Sequence, residues 1–237
     1  MSHQNTSFLD VSVSSNDPAR TSLWQPFADQ STQHHYRAGS VLYGQSQHLR
    51  LVYRLDEGFV KLLQRRRSGK EIVVAIRTAG SPLGITEIIL GRPTYTTSIA
   101  LTACSVTAVS AAAFVQRLWS DPKLLRDVVS LQSVKAREYL DRLSLLACVP
   151  AKQRLELFLR SVGNTCGTMG DGVLRFRLPL RQTELAQIVN ITPETLSRIL
   201  ADLERESVIR RRNGWISIQA PDRGARQRSQ NRLGKPG

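Results

Sequence analysis

Glu194, Ser197 and Arg198 stand at i, i+3 and i+4 in a segment whose apolar residues recur at helical spacing, so a helix puts all three on one exposed face. A carboxylate accepts a hydrogen bond from the amino group of cytosine, a guanidinium gives a bidentate pair to guanine, and a hydroxyl serves either way. That is the chemistry of reading base edges in a DNA major groove. A Glu and an Arg four residues apart also form ordinary surface pairs, so the elements that position them must decide.

Those elements are well marked. Leu185, Ala186 and Val189, then Leu196, Ile199, Leu200 and Leu203, form two helical runs separated by the polar break Asn190 to Thr192. Thr192 is placed to accept from free amides of the second helix, Pro193 suits the first helical position, and Glu194 favours the positive helix end. After Val208-Ile209 come the basic run Arg210, Arg211 and Arg212, the turn pair Asn213-Gly214, and the alternating Trp215 to Ile218, which predict a two-stranded hairpin. Leu178 to Ile218 therefore predicts a winged helix-turn-helix, whose second helix enters the major groove. Arg181, Gln182, Thr183 and Thr192 around the turn, with Arg210, Arg211 and Arg212 on the wing, are expected to hold the DNA backbone.

Thr192-Pro193-Glu194-Thr195-Leu196-Ser197-Arg198, with Leu185-Ala186 before it and Gly214-Trp215-Ile216-Ser217-Ile218 after it, resembles the DNA-binding domain of the Crp/Fnr transcription regulators. The E-x-x-S-R form is similar to the Fnr and FixK branch rather than to the cyclic-AMP receptor branch, where an Arg stands in the place of Pro193. The resemblance implies a palindrome with TTGAT-like half-sites, read by Glu194, Ser197 and Arg198.

The charge distribution agrees. The 237 residues carry a formal +14, and residues 175 to 237 hold 13 Lys and Arg against 6 Asp and Glu, a density of positive charge well above that of the preceding chain. Such a field attracts phosphates independently of sequence. Cys104, Cys148 and Cys166 are odd in number and form no C-x-x-C, which argues for a reducing, cytoplasmic setting rather than a disulfide framework. No run approaches a membrane span and no export signal is read, so no membrane partner is expected.

Residues 1–22 are polar and are expected to be a disordered tail. From Leu23 to about Ala112 short β-like runs alternate with turn signals: Leu51 to Leu55, Phe59 to Gln64, Glu71 to Arg77, Thr96 to Leu101 and Ser105 to Val109, predicting a sandwich or barrel. Tyr36-Arg37-Ala38-Gly39, the hairpin turning at Glu57-Gly58, and Gly69-Lys70-Glu71 look like the Crp/Fnr β-roll, so residues 23–119 are expected to be a cyclic-nucleotide-binding-like sensor. The resemblance places an effector pocket at Gly84, Ile85, Thr86, Glu87, Thr94, Tyr95 and Thr96. The Arg-Ser pair that meets a cyclic phosphate is missing there, so cyclic AMP is not expected. Cys104 stands where the later cluster ligand of the Fnr branch would be, but no Cys precedes it, so no 4Fe-4S cluster is expected and no cofactor is assigned. Cys104 and Cys148 are expected to be small buried hydrophobes and Cys166 to be exposed. His34 and His35 are adjacent and would face opposite sides of a strand, so no metal site is expected.

Asp121 as cap and Pro122 at the first turn open a long helix over 120–148. Leu125, Val129, Gln132, Ala136, Tyr139, Leu143 and Leu146 follow four-three spacing, a coiled-coil-like seam. The resemblance identifies it as the dimerisation helix, with Gln132 as a polar residue that fixes register. A second amphipathic helix, Ala151 to Val162, a Gly-rich loop from Gly163 to Gly172 and the reader complete 149–219, and residues 220–237 form a basic tail expected to be disordered. The fold class is thus α+β: β-roll, dimer helix, winged helix-turn-helix. The expected function is a homodimeric regulator on a TTGAT-N4-ATCAA-like palindrome, not an enzyme, with RNA polymerase as a further partner if it activates. A small organic effector, a gas carried on a haem or other cofactor with DNA binding strictly dependent on it, and no effector at all each fit the sequence.

Overall fold

The computed structural model describes residues 23–219, so the expected tails, 1–22 and 220–237, lie outside the described residues. A short 3-10 turn, Gln25–Gln30, precedes β1 (Thr32–Tyr36), β2 (Val41–Tyr43), β3 (Leu51–Glu57), β4 (Val60–Arg65) and β5 (Glu71–Arg77). β6 (Pro82–Leu83), α1 (Ile85–Leu90), β7 (Thr97–Ala100) and β8 (Cys104–Ser110) complete two four-stranded sheets, ordered β1-β8-β3-β6 and β2-β7-β4-β5. All pairings are antiparallel, and the alternating side chains bury Leu55, Val60, Ala100, Cys104, Val106 and Ala108 between the sheets. The β3–β4 hairpin turns at Gly58, whose φ of +91° and whose approach to Cys104 leave no room for a side chain: a Cβ would lie 2.7 Å from Sγ.

Sequence periodicity missed α2 (Ala111–Ser120), which follows β8 directly, its first turn capped by the Ser110 hydroxyl. With the start of α3 (Pro122–Cys148) it covers the outer face of the first sheet, packing Phe114, Leu118, Leu124, Val128 and Leu131 on Val52, Val109 and Phe27. Each such side chain, fully buried, is worth about 1.5–3 kcal/mol. This explains why β8 is buried on both faces instead of alternating. Asp121 caps α3 by accepting from the amides of Lys123 and Leu124, as its sequence predicts.

α4 (Ala151–Cys166) runs four residues past the expected Val162, and the loop expected from Gly163 is instead helix followed by β9 (Thr168–Gly170). Gly163 is kept in the helix by packing, because its missing side chain is what lets Phe176 come to about 3.0 Å from the Cβ position. β10 (Val173–Arg177), α5 (Gln182–Ile188), α6 (Pro193–Arg205), β11 (Ile209–Arg212) and β12 (Trp215–Gln219) follow, with sheet order β11-β12-β10-β9 and the three helices α4, α5 and α6 on one face. Cys104 is buried and burial raises its pKa; Cys148, expected to be buried, is exposed at the end of α3.

The winged helix-turn-helix sits on the β-roll. β5 is a sheet edge, and Gln187 of α5 closes it by accepting from the Val73 amide (3.0 Å) and donating to the Glu71 carbonyl (3.2 Å), as a neighbouring strand would. Lys61 of β4 meets Glu184 at 2.5 Å with both side chains about 85% covered, and Arg142 of α3 donates to the carbonyls of Val74 and Ile188. Burial opposes the Glu184 charge, but the Lys61 ammonium and the Arg181 amide outweigh it and hold its pKa below the ordinary 4.5. A depressed carboxyl contributes stability above its ordinary pKa and loses it as pH falls through the folded value. Glu184→Gln should therefore lower the urea midpoint at neutral pH by an amount equivalent to about 1 kcal/mol, and the gap from wild type should close below pH 4.5. A gap that does not change with pH would show that the charge is not what holds the two parts together.

Candidate nucleic-acid interface

The recognition element is set by packing on one side and capping at one end. Leu196, Ile199, Leu200 and Leu203 of α6 are buried against Leu185, Ala186 and Val189, which leaves Glu194, Ser197 and Arg198 exposed on the opposite face. Thr192 Oγ1 accepts from the Thr195 amide at 3.2 Å, fixing where the helix starts. The Glu194 backbone amide and the Thr192 hydroxyl hold the Glu194 carboxyl below its ordinary pKa, so it is an ionised acceptor. Arg198 lies along the same face, its Nη2 donating to Thr195 Oγ1 at 3.4 Å.

The tight turn before α6 is held from behind. Asn190 takes a left-handed φ of +54° there, and the buried guanidinium of Arg154 donates to the carbonyls of Val189 (3.0 Å) and Asn190 (3.2 Å) while also reaching the Val149 carbonyl (2.7 Å). A single charged group thereby satisfies the end of α3 and the end of α5 together. Nothing in the local pattern of the sequence points to Arg154, because it is one of many arginines and its partners are all backbone atoms.

Arg181, Gln182, Thr183 and Thr192 are exposed around the helix-turn-helix, and the Arg181 amide donates to Glu184. The wing divides its arginines. Arg211 turns back to Glu204 of α6 (2.7 Å), which lowers the Glu204 pKa, so the expectation that it contacts DNA gives way to an internal ion pair. Arg210 and Arg212 point outward on the other face, beside Arg175 and Arg177 of β10, which the sequence reading passed over although Leu174-Arg175-Phe176-Arg177 alternates as a half-buried strand should.

On α3, Val129, Ala136, Tyr139, Leu140 and Leu143 are exposed, so an apolar stripe stands unpartnered in the single chain, with Leu125 and Leu146 partly covered at its ends. Two seam residues also bond within the chain. Gln132 Nε2 donates to Thr86 Oγ1 at 2.9 Å and the Tyr139 hydroxyl accepts from Arg77 at 2.9 Å, so Gln132 is hydrogen-bonded within its own chain. Leu140, not foreseen, takes up the stripe.

Between α3 and the β-roll lies a pocket of about 530 Å³. Gly84, Ile85, Thr86, Glu87, Tyr95 and Thr96 line it as expected, but Thr94 does not: its hydroxyl is spent between the Gly44 carbonyl and the Gln47 amide. The wall contributed by Arg77, Tyr43 and Tyr139 was not foreseen, and Arg77 supplies the pocket with a cation, since Arg92 of the segment 84–96 does not line it. Among the described residues no group of three His, Cys, Asp or Glu side chains is gathered as a metal site, and no helix is long and apolar enough to cross a membrane.

Residues 33–120 match the model of the cyclic nucleotide-binding domain and residues 153–223 that of the Crp-like helix-turn-helix domain. The chain is 24% identical over 189 residues to the nitrogen fixation regulation protein FixK of Bradyrhizobium diazoefficiens, covering 80% of this chain and 78% of that one. It is 23% identical over 180 residues to the fumarate and nitrate reduction regulatory protein of Vibrio cholerae, covering 76% and 72%. The structure of FixK2 from Bradyrhizobium japonicum superimposes with a TM-score of 0.70 at 21% identity, over 87% of this chain and 98% of that one.

Replacing Arg154 by Met keeps the volume but leaves three carbonyls without a donor. Unfolding free energy should fall by about 2–4 kcal/mol in chemical denaturation, with Arg154→Lys falling between the two. A Met variant as stable as wild type would show that the turn holds itself.

Proposed function

Because the chain belongs to the Crp/Fnr family of transcription regulators and is a DNA-binding regulator, not an enzyme, we propose that it acts as a homodimer on a palindrome of TTGAT-like half-sites. The observation that carries this reading is the capped helix α6, with an ionised Glu194, Ser197 and Arg198 exposed together at its N-terminal end beside a basic wing. That end is the part of a recognition helix that meets base edges. Arg198 pairs with the half-site guanine, Glu194 accepts from a cytosine amino group on the opposite strand, and Ser197 lies between them. Arg181, Gln182, Thr183, Thr192, Arg210 and Arg212 fix the register on phosphates.

A palindrome calls for two recognition helices about 34 Å apart. The stripe of α3 supports that arrangement: Val129, Leu140 and Leu143 are 56%, 63% and 62% exposed in the single chain, a contiguous apolar surface of the kind that marks an interface. Control belongs to the pocket under α3, whose volume suits a small organic molecule. Arg77 gives it a preference for an acidic group, and the Arg77–Tyr139 hydrogen bond would report such a ligand to the dimer helix. Lys61, Glu184, Gln187 and Arg142 lie on the route onward to α5.

Binding of the full chain to a TTGAT-N4-ATCAA duplex, followed by fluorescence anisotropy, should exceed binding to a scrambled duplex, and Arg198→Ala should weaken the specific complex by about 10- to 100-fold while leaving the scrambled one nearly unchanged. Equal loss on both duplexes would assign Arg198 to phosphates and refute the reading. Leu140→Glu with Leu143→Glu should convert the protein to a monomer in sedimentation velocity, and an unchanged dimer would move the interface elsewhere.

A further inference from the structure

The pocket under α3 carries charges of both signs in its wall. Arg77 enters it from β5, only 6% exposed, and Glu87 enters it half-buried from the first turn of α1. Among the described residues Glu87 has no ion pair, with Arg77 or with any other cation. The Tyr43 hydroxyl lies in the field of both groups. Burial and then Glu87 raise its pKa above the ordinary 10 while Arg77 pulls the other way, so it stays a neutral hydroxyl. Much of the remaining wall is apolar or aromatic: Leu62, Val74 and Leu83, with the rings of Tyr43, Tyr95 and Tyr139.

A half-buried carboxylate with no cation beside it does nothing for the fold. Toward a ligand, however, the two charges act as a filter, in a site where the effective dielectric lies well below that of water. A simple anion that reaches Arg77 also enters the field of Glu87. A simple cation that reaches Glu87 enters the field of Arg77. A molecule carrying both charges gains from each and is repelled by neither. Its carboxylate meets the planar fork of a guanidinium, and its ammonium meets a carboxylate with tyrosine ring faces nearby. Because Arg77 and Glu87 both act on one hydroxyl, they lie within the span of a single small molecule. The volume of about 530 Å³ leaves room beyond the charged end for a side chain of aromatic size.

We propose that the pocket under α3 takes a zwitterionic α-amino acid with an apolar or aromatic side chain, its carboxylate on Arg77, its ammonium on Glu87, and its side chain against Leu62, Val74 and Leu83. The inference rests on the reading of this pocket as the control site. It goes beyond a preference for an acidic group by giving Glu87 a role and naming the class of molecule.

The test is isothermal titration calorimetry of the full chain with leucine, methionine, phenylalanine and tryptophan. At least one should bind once per protomer with a Kd below about 1 mM. Each binder is then compared with its deaminated and decarboxylated forms, phenylpropanoate and phenethylamine in the case of phenylalanine, and loss of either charge should weaken binding by about 10-fold or more. Glu87→Gln, which breaks no ion pair within the chain, should melt at the wild-type temperature. It should weaken the amino acid by a similar factor and tighten the deaminated acid, since the repelling carboxylate is gone. Opposite signs for the two ligands are what a merely structural loss does not produce. Binding of none of the four, or equal amino-acid affinity in the variant and the wild type, would overturn the proposal. An amino acid bound no more tightly than its deaminated form would overturn it too, while leaving the acidic preference of the pocket in place. A binder that meets every expectation but leaves affinity for the TTGAT-N4-ATCAA duplex unchanged upholds the ligand assignment and removes the control reading instead.

Discussion

Everything that points α6 outward hangs on the buried guanidinium of Arg154. Helix ends carry carbonyls with no partner in the helix, and where two of them meet in a protein interior those oxygens must find donors or cost several kcal/mol. Arg154 donates to the last carbonyls of α5 and to the residue that ends α3. It therefore ties α3, the helix that follows it and the helix-turn-helix to one charge. The left-handed Asn190, the Thr192 cap and the exposed reading face follow from a turn held in that position.

The same economy joins the β-roll to the helix-turn-helix. Arg142 reaches from α3 to a strand of the β-roll and to α5, and burial pulls its pKa down. Gln187 stands in for a missing strand on β5, and Val73 and Ile76 join the reader's apolar core. The seat of the DNA-binding part is thus a set of a few polar contacts around a small apolar patch. The pocket beneath Tyr139 opens on the same helix.

The reader was legible because its signals are local: a cap, a proline, a glycine turn and two helical runs lie within about forty residues, and each agrees with the others. The strands of the β-roll were legible for the same reason, from Glu71–Arg77 most clearly. The long helix α3 was only half legible. Leu124, Val128, Leu131 and Leu145 face the protein, and Leu125, Val129, Gln132 and Leu146, each one residue later, follow the same four-three spacing. Periodicity finds both stripes and cannot say which meets the chain itself, nor that Gln132 hydrogen-bonds Thr86 of its own chain. Arg77 in the pocket and Arg154 behind the turn were invisible because Tyr139 lies 62 residues from the first, and the α5-end carbonyls of Val189 and Asn190 lie 35 and 36 from the second. α2 was not read, the expected strand ending at Val109 and the β-roll being carried on to 119, since Ala111 to Ala113 carries no periodic signal.

The central claim is that two copies present α6 to successive major grooves of one palindrome. Dimethyl sulfate protection on a TTGAT-N4-ATCAA duplex reads it directly, because methylation occurs at guanine N7 on the major-groove edge. The account predicts that the guanine of each half-site, one on each strand, is protected together at the same protein concentration. Protection of one half-site alone, or neither guanine in a complex that still forms, would contradict it.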